Sequence, residues 1–372
     1  MRTLQIISDT EGNPDFSRVV GDYAELLSKF GVQSRTTAIE SLIDRGRDFK
    51  NTMDCGTAAE GKKDLGGWYN VVHLHGFSRS SVKIAAAFAK SISSPLICSP
   101  YGGLMTRSRE FSKASGPVRR WPLANIRLRH VAGIHVLGTM ELERSTALRS
   151  IKRPIVVSPM PLAEAALETG LDERVAESLS PQIPTRGPWL LAEIAARAET
   201  DLICIAEAFA AFAEGRRHAQ LLLRCLGLPN AIAVISRAPS VRRHIKNIHL
   251  IEPQGVRELM AFYRRADLAI CMRNRGMECF AIPRSLACGT PVLLPNYDPM
   301  VTEILRAGVG IASGMTSWEL TEAMFVATAK EFTCQRRATI SREWASGTLH
   351  PTVVIPAFVK FYENVLTNHS TG

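Results

Sequence analysis

The stretch that decides the fold spans residues 272–310 and reads MRNRGMECFAIPRSLACGTPVLLPNYDPMVTEILRAGVG. A polar segment with the acid Glu278 leads into the small residues 285–289, and an apolar run follows at 292–294. Small residues let a helix lie close to a neighbouring backbone, and Gly289 can end that helix at low steric cost. The stretch therefore predicts a helix, a tight turn and a buried parallel strand. In an open α/β sheet, ligands bind at the carboxyl ends of strands beside such helix starts.

Composition describes an ordinary soluble globular chain with more than one core. The 372 residues are 46% hydrophobic and 22% charged, with a mean hydropathy of +0.02, and a chain of this length usually divides into two domains. No apolar run approaches the ~18 residues that span a bilayer. Asp9 and Glu11 come too early for a secretory signal, which favours a cytoplasmic protein. The eight cysteines contain no C-x-x-C pair, so we expect reduced core thiols and no structural zinc.

Basic residues are concentrated in two segments of a chain whose net charge is +10. Residues 105–130 contain one acid, Glu110, and residues 237–246 contain none. Such runs are typical of a solvated surface, but they also suit a face resting on anionic lipid headgroups, at about 1 kcal/mol per Lys or Arg. Both interpretations stay open. We expect no nucleic-acid partner, because no aromatic platform, zinc finger or helix-turn-helix spacing is present. The bases of the first segment are Arg107, Arg109, Lys113, Arg119, Arg120, Arg127 and Arg129.

Apolar runs alternate with helical patterns from the first residues onward. Residues 3–8 and 32–39 have the composition of strands, and the amphipathic pattern of residues 16–30 predicts a helix between them. The loop after the first strand contains no G-x-G-x-x-G, which argues against a dinucleotide-binding dehydrogenase. Residues 67–99 repeat the strand, helix and strand order of a parallel βαβ unit.

A segment with two prolines and no periodicity, residues 177–187, is the best candidate for a linker. The alternation restarts after it, and residues 232–236 (IAVIS) there are predicted to form a strand. We therefore predict an α/β protein with two Rossmann-like domains, residues 1–178 and 188–350, whose parallel sheets face a central cleft. The apolar face of residues 351–372 predicts a final helix that packs back toward the first domain.

Several short motifs, in this order, resemble those of the family-four retaining glycosyltransferases, which have the GT-B fold. The segment VVHLHG at 71–76 resembles V-V-H-x-H-G, and residues 95–102 resemble P-x-x-x-S-P-H-G. The segment ECFA at 278–281 resembles E-G-F-G, residues 286–292 resemble A-M-A-C-G-T-P-V, and residues 303–310 resemble the E-i-x-x-x-G-x-G finish. The likeness extends over nearly the whole chain and is similar to members that assemble O-antigen or exopolysaccharide.

The resemblance implies a hexosyltransferase of polysaccharide or glycoconjugate biosynthesis. A nucleotide-diphosphate sugar, UDP- or GDP-linked, would bind mainly to the second domain, and a lipid-linked or glycan acceptor would bind to the first. Such enzymes retain the anomeric configuration and need no metal or other cofactor, because helix N-termini and basic side chains stabilise the leaving diphosphate. The chain accordingly contains no D-x-D. We expect it in the cytoplasm, in peripheral contact with the inner membrane face.

The resemblance also implies which residues form the site. Glu278, His75 and Tyr101 are the candidate catalytic residues, and Glu278 would hydrogen-bond sugar hydroxyls. Arg273, Arg275 and Arg284 are candidates for the phosphates, because a guanidinium fork suits phosphate oxygens. For the arginines the alternative is a solvated charge, and for His75 it is a core histidine. The remaining candidates for substrate binding are Glu11, Gly12, Arg197, Gly276, Cys279, Phe280 and Ala281.

Departures from the family pattern leave other functions open. Counted back from Ala287, the family's two glutamates fall at Arg284 and Gly276, and Glu278 fits only if two residues are deleted after it. Tyr101 occupies the position of a histidine. The diphosphate-binding G-R-L…K-G segment is not visible in residues 189–201, and EGNPD stands where a Gly-Gly loop is expected. The alternative hypothesis is therefore a catalytically degenerate GT-B subunit that partners an active transferase. Another GT-B chemistry, such as an epimerase or a phosphorylase, is the third.

Overall fold

A computed structural model describes residues 1–8, 14–42, 68–105, 128–149, 151–167, 174–194, 199–228, 230–272, 280–329 and 335–370. The chain divides into two compact units, the first formed by Met1–Pro161 with Pro351–Gly372 and the second by Leu162–His350. Each unit contains a six-stranded sheet in which every pair of neighbouring strands is parallel. The predicted α/β class with two Rossmann-like domains is confirmed.

Strands and helices alternate along both units. The strands are β1 (Arg2–Ile7), β2 (Gln33–Ala38), β3 (Val71–His75), β4 (Leu96–Ser99), β5 (Gly133–Val136), β6 (Ile155–Val157), β7 (Trp189–Ile194), β8 (Gln220–Cys225), β9 (Ile248–Leu250), β10 (Leu268–Cys271), β11 (Val292–Pro295) and β12 (Gly310–Ser313). The helices are α1 (Pro14–Lys29), α2 (Arg79–Ser91), α3 (Thr139–Glu143), α4 (Thr146–Arg149), α5 (Glu164–Leu167), α6 (Arg174–Leu179), α7 (Glu199–Gly215), α8 (Ala231–Ile235), α9 (Pro239–Arg242), α10 (Val256–Arg265), α11 (Ala281–Cys288), α12 (Val301–Ala307), α13 (Ser317–Ala327), α14 (Gln335–Leu349) and α15 (Pro351–Ser370).

The first unit has the strand order β2-β1-β3-β4-β5-β6. Every residue of β3, β4 and β5 is buried, as expected where helices cover both faces of a parallel sheet. The last helix, α15, packs closely on this sheet. A Cβ on Gly133 would lie 2.6 Å from Val365 Cγ2 and 2.9 Å from Phe361 Cζ, so the glycine in β5 makes the approach of α15 sterically possible.

The second unit has the strand order β12-β11-β10-β7-β8-β9. Numbered within the unit, this is the 6-5-4-1-2-3 order of the doubly wound fold, and the order reverses between β7 and β10. The two helices before β7 belong to this unit, because α5 and α6 pack against α10. Residues 162–178, which the sequence prediction assigns to the first domain, therefore lie with the second sheet.

The predicted helix, turn and strand of residues 285–294 are confirmed. Every residue of α11 is buried, and Gly289 ends the helix with φ +84°. The strand β11 then runs parallel to β10. Helix α14 packs on α11, and its Arg342 Nη1 donates to Cys288 O at 3.4 Å. A cation at this position interacts favourably with the C-terminal end of a helix dipole.

The strand predicted at residues 232–236 is wrong, because these residues form α8. The run IAVIS is rich in β-branched residues, but a short apolar run does not distinguish a strand from a buried helix. Ala231, Val234 and Ile235 are buried on α8 and belong to the same core as α7. Packing of this face thus overrides the local preference.

No helix in the described part of the chain combines the length and the apolar character needed to cross a membrane.

Replacing Gly289 with alanine is predicted to destabilise the second unit. The added Cβ would lie 2.4 Å from Arg342 Nη1 and 2.9 Å from Ala338 O, at a residue with φ +84°. A left-handed alanine alone costs about 1–2 kcal/mol, so we expect a lower urea midpoint for Gly289→Ala. Gly347→Ala is the matched control, since nothing lies within 4 Å of its added Cβ in α14. The control should raise the free energy of unfolding by about 0.4–1 kcal/mol, and the midpoint with it. Equal midpoints for the two variants would contradict the role given to Gly289.

Candidate functional site

The candidate site in the second unit lies at the carboxyl ends of the central strands. The register pairs Glu193 near the end of β7 with Arg224 of β8 on one side and with Cys271 of β10 on the other. These three residues are therefore level with one another at the point where the strand order reverses. In a doubly wound sheet this point opens the crevice that binds ligands.

Glu193 is the centre of a buried polar cluster. Its Oε2 accepts a hydrogen bond from Arg224 Nη1 at 2.5 Å, and its Oε1 accepts one from Arg284 Nη1 at 3.2 Å. The hydroxyl of Tyr263 also donates to Oε1. The side chains of Glu193, Arg224 and Arg284 are 9%, 11% and 6% exposed. One carboxylate thus joins two strands to helices α10 and α11.

Burial sets the protonation of the neutral groups around this cluster. Burial, and next the charge of Glu193, hold the pKa of Tyr263 well above its usual value, so the phenol stays a hydrogen-bond donor. Burial, followed by Asp298 and Glu193, raises the pKa of the Cys271 thiol as well. A thiol in this state is a poor nucleophile. The charged members of the cluster are therefore the groups able to recognise a charged ligand.

In the first unit, the predicted catalytic pair His75 and Tyr101 is brought together. Tyr101 Oη lies 2.6 Å from His75 Nδ1, and Gln5 Oε1 lies 2.8 Å from His75 Nε2. The amide oxygen can only accept, so His75 Nε2 donates to it and Nδ1 accepts from the Tyr101 hydroxyl. Both ring nitrogens are thus engaged, and His75 and Tyr101 are fully buried or nearly so.

The backbone around Tyr101 is unusual. Tyr101 has φ +49° and is followed by Gly102 at φ +74°, so two consecutive left-handed residues lie one residue beyond the end of β4. The buried carboxylate of Glu141 accepts the Gly102 N–H through Oε1, and the Leu137 N–H through Oε2 at 3.2 Å. A non-glycine residue in this conformation persists only where its surroundings hold it. Here the hydrogen bond to His75 and the Glu141 carboxylate hold the loop.

Two further histidines form a chain of hydrogen bonds with a single direction. His135 Nε2 lies 2.7 Å from Ser158 O, which can only accept, so Nε2 donates and a neutral His135 accepts at Nδ1. Ser99 Oγ lies 2.6 Å from that Nδ1, so the Ser99 hydroxyl must donate its one hydrogen bond to His135. It therefore accepts from His73 Nε2 at 2.6 Å, which leaves His73 Nδ1 to accept.

The chain ends on the C-terminal helix. Tyr362 Oη of α15 lies 2.7 Å from His73 Nδ1, so the Tyr362 hydroxyl donates to it. Tyr23 Oη, at 2.7 Å from Tyr362 Oη, then donates to Tyr362. Because each hydroxyl has one proton and each neutral imidazole one N–H, this is the order that satisfies every bond. The network joins α1, three strands and α15 into one unit.

Burial keeps all three imidazoles neutral. Burial, and then the neighbouring His135, lower the pKa of His75 to about 3. Burial lowers the pKa of His135 to about 4, although its bond to Ser158 O opposes this. The pKa of His73 is well below its usual value through burial and then through His75 and His135. In this arrangement the histidines stabilise the fold. Proton transfer by His75 would require its hydrogen bond to Tyr101 to break first.

The other predicted site residues fall into two groups. Phe280 directly precedes α11 and Ala281 is its first residue, both buried, and Arg284 of the same helix joins the Glu193 cluster. These three residues belong to the second unit, whereas His75 and Tyr101 belong to the first. Outside the described residues are Glu278, Glu11, Gly12, Arg197, Arg273, Arg275, Gly276 and Cys279, whose roles stay predictions.

Sequence reasoning missed Glu193, Arg224 and Tyr263. A signal was present for the first two, because WLLAEI and QLLLRC each place one charge near the end of an otherwise apolar strand. Among the described residues, no group of three or more His, Cys, Asp or Glu side chains is placed to hold a metal ion.

Comparison with known proteins identifies the fold. No protein-family model matches the sequence. No curated protein sequence matches it either. Among solved structures, sucrose-phosphate synthase from Thermosynechococcus elongatus has a TM-score of 0.71 at 12% identity, covering 99% of this chain and 100% of that chain. HepE from Anabaena, in complex with UDP and glucose, has a TM-score of 0.66 at 12% identity over 97% of this chain and 99% of that chain.

An epimerase shares the same architecture. UDP-GlcNAc 2-epimerase from Neisseria meningitidis, bound to UDP-GlcNAc, has a TM-score of 0.60 at 15% identity, covering 97% of this chain and 100% of that chain. Identities this low establish the fold and no more. The predicted GT-B fold is thereby confirmed, and transferases and an epimerase both stand among the proteins that share it.

The buried histidines predict a stability that falls with acidification. The unfolded chain binds protons at its histidines near pH 6.5, whereas folded His75 and His135 have pKa values of about 3 and 4. The stabilisation is therefore complete above about pH 6.5 and is lost progressively as the pH falls toward the folded values, at up to about 1.4 kcal/mol per pH unit for each histidine.

Urea unfolding between pH 7 and pH 5 measures this effect, because few carboxylates with ordinary pKa values titrate in that window. We expect a midpoint that decreases steadily. His130→Asn, which replaces an exposed histidine of the same unit, should retain the full decrease. A midpoint that does not change across the window would show that the three imidazoles are not held neutral.

Proposed function

We propose that this protein is a glycosyltransferase that moves a sugar from a nucleotide-diphosphate sugar to a lipid-linked or glycan acceptor. The observation that supports the proposal most is the second unit, where the strand order reverses beside two arginines. Arg224 and Arg284 lie there at the carboxyl ends of the strands, and guanidinium groups suit phosphate oxygens. HepE, with the same fold, was crystallised in complex with UDP and glucose, so UDP is the nucleotide to test before GDP.

The proposed reaction divides between the two units. The donor binds to the second unit, with its diphosphate near the N-terminus of α11 and the arginines, and the acceptor binds to the first. The bond between the sugar C1 and the diphosphate oxygen breaks, the acceptor hydroxyl oxygen forms the new bond to C1, and the hydroxyl proton passes to the leaving diphosphate oxygen. Guanidinium groups and the helix dipole stabilise the negative charge that develops on the leaving diphosphate. No metal or other cofactor takes part in this scheme.

Finer features of the proposal come from the resemblance to family-four transferases. They are retention of the anomeric configuration, hydrogen bonding of sugar hydroxyls by Glu278, and a place in polysaccharide or glycoconjugate biosynthesis. The net charge of +10 supports peripheral contact with anionic lipid at the inner membrane face, where a lipid-linked acceptor would be found. The proposed enzyme works in the cytoplasm, at the inner face of the membrane.

A catalytically degenerate GT-B subunit is the second candidate, and one observation favours it. Both ring nitrogens of His75 are engaged by Tyr101 and Gln5. A predicted catalytic residue thus has both of its polar side-chain atoms bonded inside the protein. An epimerase is the third candidate, because UDP-GlcNAc 2-epimerase shares the fold.

Calorimetry with UDP, GDP and their sugars, followed by product analysis, separates the three functions. Donor binding with sugar transfer to an added glycan or lipid-linked acceptor supports the transferase. Interconversion of UDP-GlcNAc with its C2 epimer, in the absence of any acceptor, would identify an epimerase. Absence of binding to every nucleotide tested would overturn the transferase and support the degenerate subunit.

Glu278→Ala is expected to lower kcat/KM for the donor about 100-fold, because a charge-assisted hydrogen bond to the sugar in the transition state contributes about 1.5–3 kcal/mol. The control is Glu322→Ala, which removes an exposed carboxylate from α13 of the same unit and should leave the rate unchanged. Steady-state kinetics measure both variants. If Glu278→Ala turns over the donor at the rate of the parent protein, Glu278 is not part of the site.

A further inference from the structure

Two charged residues lie inside strands that are otherwise uncharged. Glu193 is the fifth residue of WLLAEI in β7, and Arg224 is the fifth of QLLLRC in β8. Removing a charge from water costs several kcal/mol, and a buried ion pair is often no more stabilising than apolar residues of the same size. Stability alone therefore gives no reason for a carboxylate and a guanidinium at this level of the sheet.

Their position gives a reason. Glu193 and Arg224 are partners in the strand register, and Glu193 is also level with Cys271 of β10. Glu193 lies near the end of β7, beside the point where the order of the second sheet reverses between β7 and β10, and a doubly wound fold binds its ligand at that point. Arg284 reaches the same carboxylate from α11, the helix that follows β10.

The carboxylate of Glu193 fixes both guanidinium groups. Arg224 Nη1 donates to Oε2 at 2.5 Å, Arg284 Nη1 lies 3.2 Å from Oε1, and the Tyr263 hydroxyl orients the same carboxylate. Two cations this close repel each other, and the negative charge between them offsets that repulsion. A guanidinium carries five N–H donors in a rigid fork, so one group can hold a carboxylate and a phosphate together.

We propose that Glu193 is a positioning residue that holds Arg224 and Arg284 at the strand ends to bind the diphosphate of the nucleotide. This assignment rests on the proposed nucleotide-sugar function. Arg224 and Arg284 contact the phosphate oxygens, and Glu193 acts through them. The uracil and ribose are bound elsewhere in the unit, so loss of the cluster weakens recognition of the phosphates selectively.

The test compares UDP with uridine, which lacks the phosphates. Calorimetry gives the affinity for UDP, and NMR titration gives the weaker affinity for uridine. We expect Arg224→Leu to weaken UDP binding about 10- to 100-fold and to change uridine binding less than about twofold. Glu193→Gln, which keeps the shape and removes the charge, should weaken UDP binding by at least about fivefold, again without affecting uridine.

Conservative variants and a control complete the set. Glu193→Asp keeps the carboxylate and should recover part of the lost affinity, and Arg224→Lys keeps the charge but not the fork. The control is Arg216→Leu, because Arg216 is exposed and lies between α7 and β8, at the opposite edge of the sheet. It should bind UDP as the parent protein does. A cooperative thermal unfolding transition, measured for each variant, shows whether that variant is folded.

The outcomes separate this inference from the function on which it rests. If the parent protein binds UDP and the variants at Arg224 and Glu193 bind it equally well, the inference is overturned and the proposed function stands. Equal losses of UDP and uridine affinity show a structural role and overturn it as well. A parent protein that binds neither UDP nor GDP contradicts the proposed function and this inference with it.

Discussion

The parallel arrangement of both sheets is the constraint on which the rest of the structure depends. Parallel strands require long crossover connections, so helices cover both faces and the strands become buried apolar runs. All carboxyl ends then meet at one edge of each sheet. Where the strand order reverses, between β1 and β3 in the first unit and between β7 and β10 in the second, neighbouring connections leave in opposite directions and the edge stays accessible. Among the described site residues, His75 ends β3, Tyr101 comes after β4, and Phe280, Ala281 and Arg284 come after β10.

Each sheet also contains a polar cluster near that edge, and the two clusters are built by different physical chemistry. In the first unit the buried groups are neutral: two imidazoles, a serine and two tyrosines each donate one hydrogen bond in a single order, and that order ties α15 to the sheet. In the second unit the buried groups are charged, and one carboxylate between two guanidinium groups balances them. A satisfied neutral network gives rigidity. A charged cluster with cations in it gives affinity for an anion.

Local patterns were sufficient to predict the class, most strands and the turn at Gly289, because burial on both faces and left-handed helix ends have clear signatures in a sequence. The contacts that define the sites were not predictable in the same way. Glu193 meets Arg224 and Arg284 across 31 and 91 residues of chain, and His75 meets Gln5 across 70. Such pairs follow from strand register, which one sequence does not encode locally. Residues 232–236 show the converse error, since their β-branched composition was overridden by packing against α7.

A crystal structure of the protein with UDP tests the central claim, that the reversed strand order of the second unit and its arginines form a nucleotide-diphosphate site. We expect UDP at the carboxyl ends of β7 and β10, with phosphate oxygens within hydrogen-bond distance, about 3.2 Å or less, of the guanidinium group of Arg224 or Arg284. UDP bound away from these strand ends, or with its phosphates out of reach of both arginines, would contradict it.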